Sequence, residues 1–111
     1  MRRTIITALA HLLPKTFKDN SEDKVKALLK KHGMVNENPK DWHIHKHGGG
    51  LVHNEAIVFG NAYIAKDARV FKGGFVSSEA RVEDRAVVAE GGQLSPRTTL
   101  SGDSILINQR K

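Results

Sequence analysis

From Val52 to the end of the chain the sequence divides into ten hexads without an insertion: VHNEAI, VFGNAY, IAKDAR, VFKGGF, VSSEAR, VEDRAV, VAEGGQ, LSPRTT, LSGDSI and LINQRK. Val, Ile or Leu opens all ten, and the fifth place holds Ala, Gly, Thr or Ser in nine, Arg110 being the exception. A helix repeats every ~3.6 residues and a strand every ~2, so neither demands a period of six. A repeat this regular is an architecture and has to be read as one. It suits a chain bent into a triangular coil with one hexad per side. The aliphatic residue points inward, and the small residue leaves room for the corner. Three hexads then make one turn of 18 residues, and successive turns stack as parallel strands about 4.8 Å apart.

That period can be tested independently of the hexads. Residues 18 apart lie above one another, where opposite charges help and like charges hurt. The charged pairs at that spacing within the repeat are Lys66 with Asp84, Asp67 with Arg85, Arg85 with Asp103, Lys72 with Glu90, and Glu79 with Arg97; all are opposite in sign. Gly73-Gly74 and Gly91-Gly92 share the spacing. On these hexads the sequence resembles the hexapeptide-repeat family over residues 52 to about 107. The resemblance implies a mainly β chain: a short left-handed parallel β-helix of about three coils, preceded by an N-terminal α-helical segment. The expected divisions are helices and linker over 1–39, a cap segment over 40–51, and the β-helix over 52–111.

Places two and six of each hexad face outward. One face should carry Phe71, Val87, Ala89, Ile105 and Ile107, and a second Ile57, Phe59 and Phe75. The third carries Tyr63, Ala65, Arg81, Glu83, Thr99 and Ser101 and is mainly polar. Two apolar faces on so small a prism call for covers. The N-terminal helices are expected on one and further copies of the chain on the other. Family members usually form trimers, and the resemblance implies a homotrimer here.

The first third reads as helical. "MRRTIITALAHLLP" suits an amphipathic helix with Ile5, Ile6, Leu9, Leu12 and Leu13 on one face, ended by Pro14. It has no small-x-small cleavage site and is too short to span a bilayer, so the expected setting is soluble and cytoplasmic, with no membrane partner. "SEDKVKALLKKHG" carries a cap at Ser21, acidic residues at its start, basic ones at its end, and Gly33 to stop it. Its polar side bears Lys24, Lys26, Lys30 and Lys31. The formal charge of +6 and the pI near 9.8 suit an acidic protein, a nucleotide or a nucleic acid as partner. The absence of cysteine excludes disulfides and thiolate metal sites.

"DWHIHKHGGG", residues 41–50, offers the one candidate for metal chemistry. On a strand His43, His45 and His47 would face the same way and could present imidazoles to a transition metal. The other reading makes the stretch a passage into the first coil, with Trp42 covering the open end of the prism and the glycines allowing backbone geometry that a side chain would block. On that reading no cofactor is bound.

Many hexapeptide-repeat proteins are acyltransferases with a histidine general base on an inserted loop, and γ-class carbonic anhydrases hold zinc with three histidines. This chain departs from both, having no inserted loop and no histidine after His53; no catalytic residue is assigned. A narrower resemblance lies in Trp42, His43, His45 and Gly48 to Gly50 followed by a hexad of the V-x-G-N-A type. It is similar to small bacteriophage and prophage repeat proteins over residues 42–90. It implies a non-enzymatic oligomeric protein that sequesters or blocks a host macromolecule or nucleotide. The alternatives are a hexapeptide acyltransferase or γ-carbonic-anhydrase-like metal enzyme, and a phage tail or spike component.

Overall fold

The computed structural model describes residues 22–108. The helix expected over the first fourteen residues lies outside them. Helix α1 covers 22–31 and ends as its sequence predicts. Gly33 takes φ +76°, its N–H bonds to the Lys30 carbonyl at 2.9 Å, and the Met34 N–H reaches back to Leu29 at 2.8 Å. This paired closure of the last turn needs a left-handed residue, which glycine supplies at little cost. A single 3-10 turn, Pro39–Asp41, follows, capped by the Asn38 side chain, which accepts from the Lys40 N–H.

The rest is a parallel β-solenoid of about three turns, consistent with a left-handed β-helix. Strand β1 (Trp42–Ile44) leads into β2 (Leu51–His53), β3 (Ile57–Val58) and β4 (Tyr63–Ile64). The second turn holds β5 (Arg69–Val70), β6 (Phe75–Val76) and β7 (Arg81–Val82). The third holds β8 (Val87–Val88), β9 (Gln93–Leu94) and β10 (Thr99–Leu100), and β11 (Ile105–Leu106) begins a fourth. They form three sheets, ordered β1-β2-β5-β8-β11, β3-β6-β9 and β4-β7-β10. Among the described strands only β1 is antiparallel to its neighbour.

The register is the 18-residue one. Val52, Val70, Val88 and Leu106 stack in one column, Val58, Val76 and Leu94 in another, and Ile64, Val82 and Leu100 in the third. Ile64, Val70, Val76, Val82 and Val88 are wholly enclosed. Burying a side chain of this size fully stabilises by about 1.5–3 kcal/mol, so the columns are the main cohesive element. At each corner the N–H of place five bonds to the carbonyl of place two, as in Ala62 to Phe59 and Ala80 to Ser77. Place five then turns inward: Ala62, Ala68, Ala80 and Ala86 are fully buried, which explains why it holds small residues.

Of the five charge pairs expected from the spacing, two are bonded. Arg85 grips Asp103 through two hydrogen bonds of 2.7 and 3.0 Å, which raise the guanidinium pKa and lower that of the carboxyl. Arg97 lies 3.6 Å from Glu79. Asp67 and Lys72 instead meet Lys31 and Glu55. Lys31 lies on α1, beyond the reach of any periodicity argument confined to the repeat.

Candidate functional site

The stretch from Asp41 to Gly50 folds back across the start of the solenoid. β1 pairs with β2, matching Trp42 with His53 and Ile44 with Leu51. The chain then crosses the axial end, where the Gly50 N–H bonds to the Ile64 carbonyl and the Ile64 N–H to the His47 carbonyl, both at 2.9 Å. This closes the otherwise open edge of β4. A side chain would not fit there. Gly48 has φ +113°, and a Cβ on it or on Gly50 would strike the backbone of Ile64 or Ala65.

The three histidines go to three different partners. His43 donates through Nδ1 to the Asn54 side-chain oxygen at 2.6 Å, and Asn54 donates in turn to the Lys40 carbonyl. His45 is buried and donates through Nε2 to the Ala62 carbonyl at 2.8 Å. Burial lowers its pKa; the Ala62 bond opposes that, while His43, His47 and Lys46 lower it further. It is therefore neutral near pH 7, with its proton fixed on Nε2. His47 packs edge-on against the Tyr63 ring, centroids 5.5 Å apart. Among the described residues no group of three or more His, Asp or Glu is placed to hold a metal ion. Asn54, which clamps the cap segment to the first corner, carries no sequence signal for that role.

Trp42 lies on the flank of the prism, beneath α1. Its ring meets His53 and Phe71 edge-on at 5.1 and 5.4 Å, and its Nε1–H donates to Glu37 at 3.0 Å. Val25, Leu29, Trp42 and Leu51 form a second small core, with Leu28, Met34, Ile44 and Phe71 against it. Helix α1 thus covers the start of the β2-β5-β8-β11 face. Farther along that face Val87 is buried, but Ile105 and Ile107 remain 62% and 57% exposed. On the β3-β6-β9 face Ile57 and Phe59 are 59% and 45% exposed, and Phe59 meets Phe75 edge-on at 6.0 Å. The third face is polar: Arg81 lies 4.2 Å over the Tyr63 ring and bonds to Glu83.

Of the lysines, Lys24, Lys26 and Lys30 are exposed on α1, while Lys31 is tied to Asp67 at 2.8 Å, a bond that lowers the Asp67 pKa. Lys26 and Lys30 border a shallow groove with Leu29, Met34, Val35, Glu37 and Pro39. A second groove is floored by Trp42, His53, Phe71, Val87 and Ala89 and rimmed by Glu37, Lys72 and Glu90. Both are open clefts on the flank of α1. No helix among the described residues is long and apolar enough to cross a membrane.

No family model, curated protein or solved structure matches the chain.

Proposed function

We propose that the protein is a non-enzymatic, oligomeric binding protein of the small-phage type, which sequesters or blocks a host macromolecule or nucleotide. The observation that carries this reading is the apolar strip of exposed Ile57 and Phe59 with half-buried Phe75 beside them on one sheet face. A strip of this kind, rimmed by polar residues, marks an interaction surface. Further copies of the chain occupy it in a homotrimer, leaving α1 and its exposed Lys24, Lys26 and Lys30 outward for an acidic partner. The histidines act in this reading as structural groups of the cap segment, with no metal required.

The test is affinity purification from bacterial lysate with the wild type and with a Lys24→Glu, Lys26→Glu, Lys30→Glu variant. A host protein, nucleotide or nucleic acid retained by the first and lost by the second is expected, with retention that weakens as salt rises. Recovery of the bait alone in both samples contradicts the proposal.

A further inference from the structure

The seat of α1 on the solenoid holds two buried nitrogen atoms without a hydrogen-bond partner, His32 Nε2 and Arg69 Nε. Both belong to one contact. Arg69 occupies an outward place on β5, between Leu51 and Val87 in the register of the sheet, both of which are buried. A guanidinium in that apolar column is an odd choice. Its Nη1 reaches only the Met34 thioether at 3.5 Å, and its plane lies 5.7 Å from the Phe71 ring. Neither contact compensates a half-buried charge whose Nε is enclosed.

The neighbouring anion is already engaged, since Asp67 is bonded to Lys31. His32, just past the end of α1, therefore faces Arg69 from β5 and Lys31 from its own helix, with Asp67 as the one opposing charge among the described residues. Burial, then Arg69, lowers the His32 pKa. Neutral, the imidazole can lie there at modest cost. Protonated, it becomes a further cation in a partly buried contact.

We propose that α1 is held on the solenoid by a latch that opens on acidification, with His32 as the group that takes up the proton. The sign follows from linkage. Seated, His32 binds its proton more weakly than it does when released, where its ordinary value near 6.5 applies. Seating is thus favoured above that pH and weakens as pH falls below it. Opening uncovers Leu51, Phe71 and Trp42, an apolar strip on the same face as Ile105 and Ile107. A chain closed at neutral pH becomes one with a longer sticky face in acid.

Trp42, the single tryptophan, reports on the seat directly. Acrylamide quenching of its fluorescence should rise as pH is lowered from about 8 to about 5, while the far-ultraviolet strand signal stays constant. His32→Gln should abolish the rise. Arg69→Met, which keeps the apolar reach and removes the charge, should move it to lower pH. His45→Gln, which alters the cap segment instead, should leave it in place. Constant quenching in the wild type overturns the proposal. So does an undiminished rise in His32→Gln, or a rise lost only in His45→Gln.

Discussion

Arg97, Glu79 and Asp84 hold φ angles of 57°, 60° and 57°, a region where a Cβ crowds the backbone at a cost of roughly 1–2 kcal/mol. At two other corners the stacked pair is glycine on glycine, Gly73 and Gly91. Asp84 recovers part of its cost because its carboxylate accepts the Gly102 N–H at 2.9 Å; Arg97 offers only an exposed contact with Glu79. Replacing Arg97 by glycine should therefore raise stability by about 1 kcal/mol, read from the urea midpoint. Gly48→Ala should act oppositely, costing about 2 kcal/mol or more, because the backbone is left-handed and Ile64 is too close. The glycine tract announced special backbone in the sequence. The positive φ of Glu79 and Arg97 did not, since neither residue type favours that region.

Helix α1 and the cap segment are the elements that distinguish this solenoid from a bare repeat. Leu29 is the helix residue most deeply set in the second core, so Leu29→Ala should cost about 2–4 kcal/mol and shift Trp42 emission toward that of water-exposed indole. His45 makes the cap segment pH-sensitive in a defined direction. Its pKa is lowered in the folded chain, so its contribution is present above about pH 6.5 and declines as pH falls below that value. Thermal melts at about pH 7.5 and about pH 5.5 should differ less in His45→Gln than in the wild type. The helix end at Gly33 was legible in the sequence because a cap is local. The flank position of Trp42 was not, because it depends on β1 turning back antiparallel to β2. That reversal is fixed by contacts of the crossing glycines with Ile64.

At the scale of the molecule the hexads determine nearly everything about the fold, because one inward aliphatic and one small corner residue per six leave the chain a single repeating solution. Function is less legible, since it depends on which outward residues stay uncovered. The apolar remnants lie toward opposite ends of adjacent faces: Ile57, Phe59 and Phe75 near the start of the solenoid, Ile105 and Ile107 near its end. The charge is also unevenly placed. Residues 22–108 hold 12 Lys and Arg against 11 Asp and Glu, whereas the whole chain holds 18 against 12. Most of the excess lies in 1–21 and 109–111.

Assembly through the strip on the β3-β6-β9 face is the claim on which the binding proposal stands, and light scattering on a sizing column measures it directly. The wild type at micromolar concentration should elute with three times the 12.3 kDa mass of the chain. Phe59→Lys with Phe75→Lys should elute as the monomer with its strand signal intact. A wild type that runs as a monomer, or a double variant that still assembles, contradicts the account.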